Sequence, residues 1–198
     1  MKEKILDKAA DLFLSLGFKS VTMDDIAGEM GISKKTIYAH YPTKRELVHD
    51  ATFYVFERIN DGICQICSGD QNPIQEIFSI KSLILEQLKG EKTSPQYQLE
   101  KYYPKIFKTL KEKQFESVNS CVSENLQRGM AEGYYRKDLD IELIMRFYFN
   151  GYLGLMNQQL FPFKQFDISS LKDSYLEYHI RAIATEKGLQ TLLNILGK

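Results

Sequence analysis

The segment from Thr22 to Glu46, TMDDIAGEMGISKKTIYAHYPTKRE, leaves a chain few ways to fold. Thr22 and Asp25 form a helix start signal in which the threonine oxygen accepts a first-turn N–H, and the carboxylates of Asp24 and Asp25 suit the positive helix end. A helix therefore begins at Met23. Ile26, Ala27 and Met30 form its apolar face, and Gly31 ends it where a left-handed residue meets no steric penalty. Ser33 caps a second helix, Lys34 to Tyr41, which Pro42 stops. Thr43 and Glu46 repeat the capping box and open a third. Ala27 is small where two helices would cross, Gly31 sits in the turn, and Ile32 and Ile37 point into a shared core. These are the requirements of a helix-turn-helix, whose second helix enters the major groove of DNA.

The chain has 198 residues, which suits a small helix-turn-helix domain over 1–46 and a larger helical domain over 47–198. Its formal net charge is zero and its pI about 6.8, which excludes a generally basic nucleic-acid coat. The positive charge is local instead: Lys34, Lys35, Lys44 and Arg45 lie between Ser33 and Arg45 with no acid among them. A focused patch of this kind anchors phosphates without a basic protein. Thr36 is short enough to approach a base edge or a thymine methyl, and Lys34 and Lys35 can reach guanine acceptors or phosphates. Ser33 and Tyr38 complete the exposed helix start and face. Thr43 sits at a helix N-terminus whose N–H groups suit an anion. His40 either touches a phosphate or caps the helix end.

The same residues resemble the tetracycline-repressor (TetR) family of bacterial transcriptional regulators. The resemblance runs from Ala9-Ala10-Asp11-Leu12-Phe13 through Gly17-Phe18 and Val21-Thr22-Met23-Asp24-Asp25-Ile26-Ala27 to Ser33-Lys34-Lys35-Thr36-Ile37-Tyr38-Ala39-His40-Tyr41-Pro42-Thr43-Lys44. It implies that Thr22, Tyr38, Tyr41 and Lys44 hold phosphates. Ala39 departs from the larger aromatic often found there, so base contact from that position is not expected. The resemblance further implies a double-stranded operator, a homodimer, and a small-molecule effector bound among the middle helices.

Helical periodicity continues to the C-terminus, so the expected class is all-α. Ile5, Leu6, Ala9, Leu12, Phe13 and Leu16 form one stripe on a first helix that Gly17 stops. The helix opening at Thr43 is expected to reach about Cys67. A turn cluster, Ser68 to Pro73, precedes a helix ending near Gly90. Pro95 and Pro104 bracket a short helix, Lys105 to about Glu132 forms a long one closed by Gly133, and Asp140 caps an aromatic-rich helix. A last helical region runs from about Ile168, broken near Gly188.

Of the chain's twelve tyrosines and twelve phenylalanines, ten of each lie in the larger domain, and the chain has no tryptophan. So many hydroxyls are easier to satisfy around a partly wet cavity than in a solid core. Phe53, Phe56, Tyr102, Tyr103, Phe107 and Tyr148 are the expected walls for an apolar or aromatic effector. Two recognition helices on a two-fold axis read a palindrome, so dimerisation is expected through the last two long helices at Gly151, Leu155, Tyr175, Leu176, Ile180 and Ile183.

Cys64-Gln65-Ile66-Cys67 stands without a second Cys/His pair at ligand spacing, so packing is favoured over a zinc or redox role. No metal site, cofactor or catalytic constellation is expected. The competing reading is a small-molecule-binding or catalytic helical protein with a vestigial helix-turn-helix. The apolar window from Ile141 to Phe163 carries Glu142, Arg146 and Asn150, so no membrane span is expected. The N-terminus lacks a signal-peptide pattern, and three cysteines fit a reducing cytoplasm.

Overall fold

The computed structural model describes residues 1–89, 94–162 and 164–198, so the helix stop expected near Gly90 lies outside the described residues. The described chain is all-α. Its helices are α1 (Lys2–Leu16), α2 (Met23–Met30), α3 (Lys34–His40), α4 (Lys44–Cys67), α5 (Pro73–Gln87), α6 (Pro95–Tyr102), α7 (Pro104–Ala131), α8 (Ile141–Gly154), α9 (Ile168–Ile183) and α10 (Glu186–Leu196). No helix among the described residues is long and apolar enough to cross a membrane.

Local chemistry sets the boundaries. Gly31 ends α2 in the left-handed region at φ 63°, its N–H returning to the carbonyls of Ala27 and Gly28. Tyr41 turns extended, φ −134° and ψ 92°, because the ring of Pro42 disfavours a helical residue before it, and α3 stops. Thr43 Oγ1 then accepts the Glu46 N–H at 3.2 Å and opens α4. Asn72, Asp140 and Asp167 start α5, α8 and α9 in the same way, each accepting a first-turn N–H.

The break expected near Gly188 falls at Ala184-Thr185, three residues earlier. Ala184 is extended after α9, and Thr185 caps α10 by accepting the Gly188 N–H at 3.2 Å. Gly188 lies within the first turn, where a Cβ would stand 2.2 Å from the Tyr134 carbonyl oxygen. This glycine marks a close approach of two backbones, which the sequence alone does not distinguish from a helix stop.

The helices pack as two compact units. The first comprises residues 1–62 and 83–112. Its core joins Ile5, Phe13 and Phe18 to Ile26 of α2, Ile37 of α3, Leu47 and Val48 of α4, Leu99 of α6 and Ile106 of α7. The stripe of α1 thus buries in the same core as Ile26 and Ile37 of the helix-turn-helix.

The second unit comprises residues 63–82 and 113–198, with Ile74, Leu126, Tyr135, Leu176, Ile180, Ile183 and Leu192 at its centre. A buried polar chain runs through it. Glu76, only 2% exposed, receives the Arg128 guanidinium and the Asn125 amide, the latter at 2.7 Å. Asn125 donates also to the Pro73 carbonyl and accepts from the Tyr135 hydroxyl, so both of its N–H groups and its carbonyl oxygen are engaged. A buried carboxylate is tolerated only with such partners. An antiparallel bridge between Tyr135 and Ala184 ties the end of α7 to the α9–α10 junction.

Candidate nucleic-acid interface

The outer surface of the helix-turn-helix is built by its caps. Thr22 Oγ1 accepts the Asp25 N–H at 3.1 Å, and Asp25 accepts from the Thr22 N–H at 2.8 Å and from its hydroxyl. The Thr22 backbone and side-chain hydrogen bonds hold the Asp25 carboxyl below the usual carboxylate range. Ser33 Oγ accepts the Thr36 N–H at 3.1 Å and lies 2.9 Å from Thr36 Oγ1. The hydroxyl expected to meet a base is therefore already held by the cap of its own helix.

With Ile37 fully buried, α3 turns Lys34, Lys35, Tyr38 and His40 outward, and Thr36 is half-buried. Thr22, Ser33 and Thr43 are exposed at the starts of α2, α3 and α4. Thr36 apart, these positions are thus all exposed. Lys34 is not unopposed, since its ammonium meets Asp24 of α2 at 2.5 Å, and that hydrogen bond raises its pKa. The acid lies ten residues upstream, outside the acid-free stretch from Ser33 to Arg45. Any anion binding Lys34 must compete with Asp24.

Lys44 is half-buried. Its ammonium reaches the Lys19 carbonyl at 3.4 Å and lies 6.0 Å from the Phe13 ring centroid, and burial lowers its pKa against the opposing pull of Asp25. Lys19, exposed in the turn after α1, is a further cation at this edge that motif reading passed over. Its only sequence signal is its place between Gly17-Phe18 and Thr22.

Tyr41 departs from expectation. It is 1% exposed within the first core, and its buried hydroxyl has no hydrogen-bond partner. The physical cause is the turn into Pro42, which points residue 41 inward to fill the space behind α3.

The expected effector walls divide between the units. Phe53, Phe56, Tyr103 and Phe107 are half-buried and pack against the first core. Tyr102 stands at the surface, 39% exposed, with Lys19 and Lys101 each near its ring. Tyr148 belongs to the second unit, among Tyr152, Tyr175 and His179.

Of the residues expected at a dimer interface, Leu155, Leu176, Ile180 and Ile183 are buried within the chain. Tyr175 is spent inside it as well, its hydroxyl donating toward the Phe147 and Tyr148 carbonyls over Gly151. The apolar spacing of α9 was read correctly as an apolar face, but that face fills the unit's own core. The exposed apolar side chains of these helices are instead Leu143, 46% exposed, Phe147, 60% exposed, and Tyr178, 70% exposed. Periodicity records that a face is apolar, not which of two apolar faces lies outermost.

Residues 5–51 match the bacterial regulatory proteins of the tetR family. The HTH-type transcriptional repressor KstR2 of Mycolicibacterium smegmatis is 25% identical over 153 residues, covering 74% of this chain and 73% of the relative. The biofilm operon icaADBC negative transcriptional regulator IcaR of Staphylococcus aureus is 34% identical over 61 residues, 31% of this chain and 33% of the relative. A solved transcriptional regulator from Cytophaga hutchinsonii shares the fold with a TM-score of 0.71 at 18% identity, over 92% of this chain and 98% of that one. The likeness to the tetR family of bacterial regulatory proteins thus falls on the capped helix-turn-helix, residues 5–51, while the solved neighbour shares the all-α fold over most of the chain.

Proposed function

We propose that the protein is a cytoplasmic transcriptional repressor that binds a palindromic operator as a homodimer and leaves it when a small apolar or aromatic effector binds. The observation that carries this reading is the capped α2–turn–α3 unit, which buries Ile26 and Ile37 and leaves Ser33, Lys34, Lys35 and Tyr38 exposed together. Repression is supported by the names of the relatives, which are a repressor and a negative regulator. Functionally, residues 1–46 read DNA and 47–198 bind effector and partner.

Within the head, Thr36, Lys34 and Lys35 read bases, while Thr22, Ser33, Tyr38, His40, Thr43 and Lys44 position the backbone. Tyr41 serves as core. Phe53, Phe56, Tyr103 and Phe107 form the effector-sensing wall beside α4, the helix that leaves the head. An effector releases DNA only as far as it prefers the non-binding conformation, and a tenfold loss of operator affinity requires about 1.4 kcal/mol of such preference.

A gel shift on the DNA upstream of the protein's own gene tests the reading. Lys44→Ala should weaken binding to specific and random duplex alike and flatten the salt dependence, whereas Thr36→Ala should relax sequence preference. Wild-type protein that binds this DNA no better than random duplex overturns the reading.

A further inference from the structure

Three thiols lie in the second unit, and the fold pairs them otherwise than the C-x-x-C spacing suggests. Cys64 is exposed, whereas Cys67, the last residue of α4, and Cys121 of α7 are half-buried. The Cys67 and Cys121 sulfurs stand 3.6 Å apart, across 54 residues of sequence. A disulfide needs about 2.05 Å between sulfurs, so an approach of roughly 1.5 Å closes the bond.

We propose that Cys67 and Cys121 form an oxidisable pair that a hydroperoxide converts into a reversible disulfide tying the end of α4 to α7. The Cys67 thiolate attacks the peroxide; an S–O bond forms, the O–O bond breaks, and water or an alcohol leaves after taking a proton. The Cys121 sulfur then attacks the sulfenic sulfur; the S–S bond forms, the S–O bond breaks, and the hydroxide leaves as water with the Cys121 proton. Two thiols lose two electrons and the peroxide gains them.

The surroundings set the order and the pace. Burial pushes both thiols up, Cys121 well above the usual range. Glu76 faces both and Glu124 faces Cys121, opposing thiolate formation, while Arg128 favours the Cys67 thiolate. Cys67 therefore attacks first, and the reaction is slow at neutral pH and quickens as pH rises. Such a pair records sustained rather than brief exposure to peroxide. Because α4 begins at Lys44, directly after the helix-turn-helix, the cross-link also bears on operator binding, a consequence that rests on the proposed DNA-binding function.

Reduced full-length protein treated with hydrogen peroxide, alkylated and mapped by mass spectrometry tests the chemistry. A Cys67–Cys121 peptide should appear in wild type and in Cys64→Ser, vanish in Cys121→Ser, be reversed by dithiothreitol, and form up to about tenfold faster per pH unit below the thiol pKa. A Cys64–Cys67 linkage, or oxidation of Cys64 without any cross-link, overturns the proposal. Oxidised wild type should then differ from reduced by about threefold or more in affinity for the upstream DNA, with no difference in Cys121→Ser. Equal affinities despite a mapped cross-link overturn the regulatory consequence. Failure of the reduced protein to bind that DNA instead overturns the DNA-binding reading, while the peptide map still decides the chemistry.

Discussion

The Tyr175 hydroxyl of α9 occupies the space that a side chain on Gly151 of α8 would need: a Cβ there would stand 2.2 Å from the tyrosine oxygen. That oxygen lies 3.1 Å from the Phe147 carbonyl and 3.0 Å from the Tyr148 carbonyl, so the contact is polar as well as close. Gly151→Ala must therefore displace the ring and its hydrogen bond. We expect a loss of about 1–3 kcal/mol in urea unfolding, the usual range for overpacking, despite alanine's better helix propensity. Gly154, one turn on, meets nothing within 4 Å, and Gly154→Ala should gain up to about 1 kcal/mol. Equal stabilities for the two variants would show that the Tyr175 contact is loose.

Tyr41 separates a structural from a DNA-binding role at a single atom. Its ring fills the first core, and its hydroxyl is buried without a partner. Removing an unsatisfied buried hydroxyl is neutral to stabilising by about 1 kcal/mol. Tyr41→Phe should thus leave operator affinity unchanged and hold or raise the melting temperature. A severalfold loss of affinity with unchanged melting would restore Tyr41 as a phosphate contact.

The head was legible because its signals are local: Thr22, Gly31, Ser33, Pro42 and Thr43 each act within a few residues of themselves. Helix existence in the rest of the chain was legible for the same reason, through caps such as Asp140 and the spacing of apolar side chains. What escaped was set by tertiary approach. Lys34 meets Asp24 across a turn, Cys67 meets Cys121 rather than Cys64, and Gly188 yields to the Tyr134 backbone. Nor could spacing assign Leu176 and Ile180 to the chain's own core and Phe147 and Tyr178 to the surface, because both faces are apolar.

That last assignment changes where the second copy of the proposed homodimer should dock. Phe147 and Tyr178 leave large apolar side chains in water on α8 and α9, where a second copy could bury them. Phe147→Glu with Tyr178→Glu should yield a folded monomer by sedimentation and weaken operator binding, since each head alone reads only half a palindrome. Leu176→Glu places a charge in the core and should instead unfold the protein. A double variant that stays dimeric would move the interface elsewhere.

His179 gives the fold a dependence on pH. It is 8% exposed, lies 4.9 Å from the Tyr148 ring centroid, and burial holds its imidazole at about 4 against an ordinary 6.5. Between those values the unfolded chain takes up a proton that the folded one refuses. Stability is therefore complete above about pH 6.5 and falls as pH drops toward 4. The shift corresponds to a loss on the order of 2–3 kcal/mol by pH 4.5. His179→Gln removes the titrating group, so urea unfolding at pH 7 and pH 4.5 should show wild type losing more stability than the variant by about that amount. Carboxylates that protonate in the same range cancel in the comparison. Equal losses in the two proteins would mean that the imidazole is solvated in the native state.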